Sequence, residues 1–368
     1  MTTRNTARWA PVTLAAALAC ISLGAAAQSG PSNLVGYHPG NLAPTTGNNS
    51  PAVDWRVTQG ATFNGVSFEG NARIRFDNDG NLGNGSFVCS GTLLAGGQYV
   101  LTAAHCADDF NVMEISFGVY NNVATQTRSA AQAYVHPGWT GNLTGGSDIA
   151  LIRLDAPVTT IQGFNVSRSN DVGQQHLIMG YGSTSVGNST TATGWTDWGW
   201  AHYGYNTFDV TAKAFDDAWD GSGGNQFGEV YVVDFDGLTN GANHNTLQRV
   251  ADLRSNPWSS GLTLGNQEAL IAGGDSGGGD FVWNGSEWLL SGVHSWGWQF
   301  CGGRISPSCD FSSSNSSSWG DLSGSTAVFS HAAWIESITG PIPEPGTYGL
   351  MALGLAVVGV AARRRKAA

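Results

Sequence analysis

Three short runs of this 368-residue chain hold residue types that, brought together, can break an acyl bond. Leu101-Thr102-Ala103-Ala104-His105-Cys106 supplies an imidazole. Ser147-Asp148-Ile149-Ala150-Leu151-Ile152 supplies a carboxylate ahead of an apolar stretch, and Gly274-Asp275-Ser276-Gly277-Gly278 supplies a hydroxyl in a glycine-rich turn. A serine hydroxyl is a poor nucleophile at neutral pH and needs a base within hydrogen-bond reach. Histidine suits that task because its unperturbed pKa lies near ~6.5. An aspartate accepting the other ring N–H fixes the tautomer and stabilises the imidazolium that forms. Each residue has a duller reading: a packed core histidine, a strand-edge aspartate, a serine that merely occupies a turn. The three runs in this order weigh against all of them.

The runs resemble the Thr-Ala-Ala-His-Cys, Asp-Ile-Ala-Leu and Gly-Asp-Ser-Gly-Gly signatures of the trypsin/chymotrypsin-like serine peptidases, over roughly Val57 to Ile338. The resemblance implies His105 as general base, Asp148 as its orienting carboxylate and Ser276 as nucleophile. It implies an oxyanion hole from the N–H groups of Gly274 and Ser276, where one donor is typically worth about 10²–10³ in rate. It also implies that Asp275 pairs with an α-amino group freed by cleavage. Arg56-Val57-Thr58-Gln59-Gly60 is a loose match to the family's activation junction, with a plain strand start as the alternative. Substrate would be held by Leu270, His294, Ser295, Trp296 and Gly297. Leu270 stands where trypsin-type members place an Asp, so cleavage after Arg or Lys is not expected. His294 stands where glutamate-specific relatives carry a His. A small or medium apolar P1 residue is the leading expectation and an acidic one the second. The final pocket strand is matched to Thr326-Ala327-Val328-Phe329.

Compartment follows from the ends and the cysteines. Arg4 and Arg8, an apolar run from Val12 to Leu23 and Ala25-Ala26-Ala27 read as a signal peptide over 1–27. Residues 28–56, rich in Gly, Asn, Pro and Thr, read as a propeptide or linker. At the other end, Pro343-Glu344-Pro345, an apolar run from Tyr348 to Ala362 and Arg363-Arg364-Arg365-Lys366 resemble a PEP-CTERM sorting tail over 341–368. That resemblance implies processing by an exosortase-like peptidase, a transient membrane association, and delivery to the cell envelope or medium of a Gram-negative bacterium. An ordinary membrane anchor is the alternative. Cys20 leaves with the signal. Cys89, Cys106, Cys301 and Cys309 form an even set in an oxidising compartment. Four cysteines allow three pairings, and sequence proximity favours Cys89–Cys106 with Cys301–Cys309. Ala272 replaces the Cys with which the family braces the pocket wall, which agrees with Cys301 turning to Cys309.

Elements must hold these groups in place, and composition says which kind. The 52 glycines and the many Asn, Ser and Thr residues indicate tight turns and exclude a helical bundle. Short apolar runs recur at Phe87–Cys89, Tyr99–Leu101, Ile149–Ile152, Leu177–Met179, Val230–Val233, Leu289–Val293 and Ala327–Phe329, as in an all-β barrel or sandwich. Taken with the resemblance, the fold expected is two packed antiparallel β-barrels, about 57–160 and 161–340, with one helix over His331–Ile338. Gly187–Gly199 and Phe311–Asp321 read as loop insertions. Without residues 1–27 and the apolar and basic run from Tyr348 onward, ten basic residues face 27 acidic ones. A net charge of −17 excludes nucleic-acid binding, which needs clustered Lys and Arg. No cofactor is expected, and the chain reads as a monomer acting on protein or peptide substrates. No metal is expected either: Asp77-Asn78-Asp79-Gly80-Asn81 lacks EF-hand spacing and reads as a polar turn. The rivals to a secreted endopeptidase are a catalytically silent binding protein on the same fold, and an esterase that turns over esters but not peptides.

Overall fold

The computed structural model describes residues 51–340 apart from 84–85, 192–193, 196, 220–226, 240–241, 256–257, 261–263, 301–308 and 316. The signal peptide, most of the 28–56 segment, Cys301 and the sorting tail therefore lie outside the described residues.

Six antiparallel strands close a first barrel. They are β1 (Asn71–Asp77), β2 (Phe87–Leu93), β3 (Tyr99–Thr102), β4 (Val112–Tyr120), β5 (Val123–Val135) and β6 (Ala150–Leu154), joined in the order β1-β2-β3-β6-β5-β4. Ile74, Leu93, Val100, Ile115, Phe117 and Ile152 share one face of these strands and are fully buried, and Leu101 and Leu151 are buried on the other face. Each such side chain contributes about 1.5–3 kcal/mol on leaving water. The β4–β5 hairpin turns on Asn121 and Asn122, with φ of 48° and 64°. A two-residue hairpin turn with both φ values positive has the twist that flanking strands require, and Asn tolerates it.

A second sheet of eight strands curls beside the first barrel. It contains β7 (Asn165–Val166), β8 (Gln175–Gly180), β9 (His202–Thr207), β10 (Val210–Thr211), β11 (Val230–Asp234), β12 (Gly279–Trp283), β13 (Trp288–Trp298) and β14 (Leu322–Ala327). Seven follow the path β9-β8-β12-β13-β14-β11-β10, and β7 adds to β13 in parallel. The expectation of an all-β chain with two packed barrels holds, the first barrel closed and the second a curled sheet. One apolar cluster runs from Ile74 and Leu151 through Leu177, Phe281 and Leu290 to Ile335, so the two halves share a core.

Three details differ from the sequence reading. Besides the C-terminal helix, found as α3 (Ala332–Thr339), the chain forms α1 (Ala212–Trp219) and α2 (Thr246–Leu253). The side chain of Asn245 caps α2 by accepting the Gln248 N–H at 2.7 Å. The last strand ends at Ala327, and Val328–His331 is a turn of 3-10 helix. Finally, part of the 311–321 stretch is packed inside: Trp319, Asn315, Ser318 and Asp321 are fully buried, while Ser313 and Ser314 are exposed. The Trp319 ring lies where a Cβ on Gly187 or Gly237 would intrude, at 2.2 and 2.1 Å. Among the described residues no helix is long and apolar enough to cross a membrane.

Candidate active site

Strand register brings His105 to Asp148. β3 pairs with β6 so that Thr102 faces Ala150, which puts the end of one strand and the start of the other on the same rim. His105 lies three residues beyond Thr102, and Asp148 two before Ala150. The fully buried Asp148 carboxylate accepts the His105 backbone N–H at 3.0 Å and faces His105 Nδ1 at 2.8 Å. Its Oδ2 also accepts the Ser295 hydroxyl at 2.5 Å, and the Thr326 hydroxyl donates to its main-chain carbonyl at 3.1 Å. A buried carboxylate must be paired to stay ionised, and here every bond also orients it. With Nδ1 committed, Nε2 is the ring nitrogen left for proton exchange, and the side chain keeps 28% of its exposure.

Ser276 sits on the turn that leads into β12. Gly274 and Gly277 have φ of 96° and 79°, the left-handed region that favours glycine. A Cβ on Gly277 would lie 2.0 Å from Thr102 Oγ1, and one on Gly274 2.4 Å from the Trp195 ring. The turn is pinned to the first barrel by Ser90, whose N–H donates to the Ser276 carbonyl at 2.7 Å and whose hydroxyl donates to the Gly274 carbonyl at 3.1 Å. The same hydroxyl accepts the Tyr181 N–H at 2.9 Å. Cys106 Sγ, next in sequence to His105, lies 3.7 Å from the Ser276 carbonyl. Among the described residues the N–H groups of Gly274 and Ser276 meet no acceptor. Two unpaired amides one residue apart are what a developing oxyanion requires.

Asp275 points away from this face. Its carboxylate accepts the N–H of Gly182 at 2.7 Å and of Ala272 at 2.9 Å. Burial pushes the carboxyl pKa up, opposed by the nearby His294 and these two amides. The Val57 N–H donates to the Ala201 carbonyl at 2.8 Å, and the Arg56 guanidinium grips Asp197 while stacking 4.7 Å from the Trp200 ring. His202 Nε2 faces the same Asp197 at 2.7 Å. A small cleft of about 80 Å³ has Trp55, His202, Leu270, Ala272 and Asp275 in its wall.

The remaining pocket candidates are placed as follows. Ser295, Trp296 and Gly297 form the end of β13, and Gly297 is exposed. The register opposite them is Gly324 against Trp296 and Ser323 against Gly297, so the facing wall lies upstream of the Thr326–Phe329 stretch matched in the sequence. Leu270 packs beside Phe208, Tyr231 and Val282. His294 is fully buried, with Nε2 2.9 Å from Asp280 and Nδ1 3.1 Å from the Asp275 carbonyl. Ser90 and Asp280 were not singled out from sequence, although a charged residue inside the apolar run Asp280-Phe281-Val282 was a readable signal. Trp195, within the Gly187–Gly199 stretch, is half-exposed and covers Gly274, while Trp198 stacks on Arg73 at 4.8 Å.

Cys89 and Cys106 form a disulfide. Their sulfurs and a His105 nitrogen lie within 4.8 Å of one another, but bonded sulfurs offer no thiolate to a metal. Cys309 is buried and disulfide-bonded, and its expected partner Cys301 lies outside the described residues. In the 77–81 turn, Asp77 Oδ1 and Asp79 Oδ1 each accept a backbone N–H two residues on, at 2.7 Å. That is the local bonding of a polar turn.

Residues 65–197 match the family model described as Trypsin, and residues 341–366 match the PEP-CTERM protein-sorting motif. The chain is 36% identical over 107 residues to snake venom serine proteinase 14 of Crotalus adamanteus, a stretch covering 28% of this chain and 41% of that protein. It is 40% identical over 77 residues to chymotrypsin-like elastase family member 1 of Canis lupus familiaris, covering 20% of this chain and 30% of that one. A solved structure titled "HL collagenase" aligns with a TM-score of 0.48 and 18% identity over 80% of this chain and 98% of that one. Residues 65–197 are thus similar to the trypsin family and residues 341–366 to PEP-CTERM sorting motifs, while the chain's matches span about two fifths or less of the curated relatives.

Proposed function

We propose that the chain is an exported serine endopeptidase that cuts peptide bonds through Ser276, His105 and Asp148. The observation that carries this reading is the Asp148 carboxylate, which holds His105 by both its ring and its backbone beside a Ser276 turn with two unpaired amides. His105 Nε2 takes the Ser276 proton as the hydroxyl adds to the scissile carbonyl, and the N–H groups of Gly274 and Ser276 receive the oxyanion. The imidazolium then protonates the leaving amine, and the same base draws a proton from the water that releases the acyl group. Asp148 stays ionised throughout.

Leu270 brings no charge to the position where trypsin-type members place an Asp, which supports a small or medium apolar P1 residue. Both ring nitrogens of His294 are engaged already, which weighs against an acidic one. Activation is assigned to cleavage after Arg56. Cleavage there would free the Val57 α-amino group, whose N–H now donates to the Ala201 carbonyl, and Trp55 beside the junction shares a cleft with Asp275. The tail at 341–366 would pass the protein through an exosortase-like peptidase to the envelope or medium, as a monomer with protein or peptide substrates. Digestion of a proteome-derived peptide library by the wild-type chain and by Ser276→Ala, before and after cutting at Arg56, tests these points together. New termini lost in Ser276→Ala support the reading, and apolar residues at P1 support the pocket. Identical digests from the two forms would overturn it, and turnover of esters alone would move it to an esterase.

A further inference from the structure

Beneath the nucleophile turn lies a second histidine–aspartate pair that the proposed mechanism does not use. His294 is tied to the turn through its backbone: the Gly277 N–H donates to its carbonyl at 2.8 Å, and its own N–H donates to the Gly278 carbonyl at 3.0 Å. Its ring faces two acceptors. Nδ1 is 3.1 Å from the main-chain carbonyl of Asp275, the residue before the nucleophile, and Nε2 is 2.9 Å from Asp280 Oδ1. A carbonyl oxygen only accepts, so Nδ1 must carry a proton. An ionised carboxylate only accepts as well, so Nε2 must carry another. The chain makes room for the pair. A Cβ on Gly278 would lie 2.7 Å from His294 Nδ1, and one on Gly292 2.4 Å from Asp280 Oδ2.

We propose that His294 is a positioning residue: a buried imidazolium, paired with the Asp280 carboxylate, that holds the Asp275–Ser276 peptide and so keeps the turn in the shape that forms the oxyanion hole. The role rests on the serine peptidase reading for its catalytic consequence. The groups around the ring are consistent with a single positive charge. Asp280 faces it from β12, and the Asp275 carboxyl lies on the turn. From β8, His176 Nε2 is 3.5 Å from the same Asp280 Oδ1. Burial lowers the His176 pKa to about 4, so that ring is neutral and stacks on Phe208. Burial alone would also lower His294, but the charge and hydrogen bond of Asp280, with Asp275, raise it instead. Burial works on Asp280 in the opposite direction and is outweighed by His294 and His176, so its pKa falls. Loss of the His294 proton sets a nitrogen lone pair against an oxygen, either the Asp275 carbonyl or Asp280, and loosens the turn.

The test uses the full chain, cut at Arg56 if that is needed for activity, as wild type, Asp280→Asn and His294→Gln. Asn at 280 removes the counter-charge, and Gln at 294 cannot bridge both acceptors. Misplacing a catalytic group by an ångström costs about 100-fold, so kcat for a peptide should fall about 100-fold in both variants with KM little changed. The alkaline limb of the kcat profile should move to lower pH in Asp280→Asn. Hydrogen exchange of the 272–279 amides should quicken in both. Unchanged kcat, pH profile and exchange would overturn the proposal while leaving the peptidase reading intact. If either variant does not fold, the ring ¹⁵N shifts of wild-type His294 at pH 7.5 decide. Two protonated nitrogens support the pair, and one lone pair overturns it. Should wild type and Ser276→Ala prove equally inert, the peptidase reading falls, and exchange and ¹⁵N shifts alone decide the structural role of His294.

Discussion

Replacing Asp148 by Asn keeps the size of the side chain and removes one acceptor. In the native site Oδ2 receives two donors, His105 Nδ1–H and the Ser295 hydroxyl, and Oδ1 receives the His105 backbone N–H. An amide has only one oxygen to share among these three. With its NH₂ at the Oδ2 position it faces Nδ1, which must then act as acceptor. The proton of the neutral ring moves to Nε2, and Ser276 loses its base. With its NH₂ at the Oδ1 position it opposes the His105 backbone N–H, so the loop holding the ring must shift. The first arrangement leaves the fold in place, and the wrong tautomer is expected to cost about 10⁴ in kcat, or about 5.4 kcal/mol of barrier at ~1.36 kcal/mol per decade. The assay is single-turnover acylation by a chromogenic peptide ester, with KM followed separately and near-UV circular dichroism checking the fold. A folded Asp148→Asn protein within tenfold of wild type would refute the tautomer argument.

Three further outcomes concern stability. Asp321 is fully buried and its pKa is pushed up to about 7 by burial, only partly offset by the Ser318 N–H and hydroxyl. A raised carboxyl pKa favours the folded state below the unfolded value and loses that advantage as pH rises toward 7, with a slope of at most about 1.4 kcal/mol per pH unit. Asp321→Asn should flatten that slope between pH 4 and 7 in urea titrations; a parallel curve would contradict the assignment. Opening the Cys89–Cys106 link by a double Ala substitution should cost about 2–4 kcal/mol in the same assay, as expected for a short loop. Trp319→Ala empties a buried site between Gly187 and Gly237 and should cost about 3–5 kcal/mol, read as a lowered melting midpoint.

The proposed catalytic residues were legible because their chemistry fixes residue type, and because each lies beside a strand whose apolar run marks it. The Cys89–Cys106 link was legible for a related reason: few cysteines leave few pairings. Other features left weaker traces. β14 reads Leu-Ser-Gly-Ser-Thr-Ala, and its small polar residues are buried between β13 and β11, so no apolar run announces it. β5 alternates exposed and half-buried positions on the outside of its barrel, with Thr, Gln and Ala in place of large apolar residues. The serine-rich 311–321 segment reads as a surface loop, yet it is drawn inward by Trp319 and by hydrogen bonds such as Ser317 Oγ to the Ile271 carbonyl at 2.8 Å. For His294 the sequence suggested contact with substrate. Its burial depends on Asp280, fourteen residues away, and only the β12–β13 pairing brings the two together.

The most direct check on the central claim is covalent capture of the nucleophile. The full chain, with a parallel sample cut at Arg56, is treated with a fluorophosphonate and digested, and the modified peptide is located by mass spectrometry. The geometry predicts one adduct, on Ser276, strongly slowed in Asp148→Asn and absent in Ser276→Ala. No adduct in either sample, or one on another serine, would contradict a nucleophile activated by His105 and Asp148.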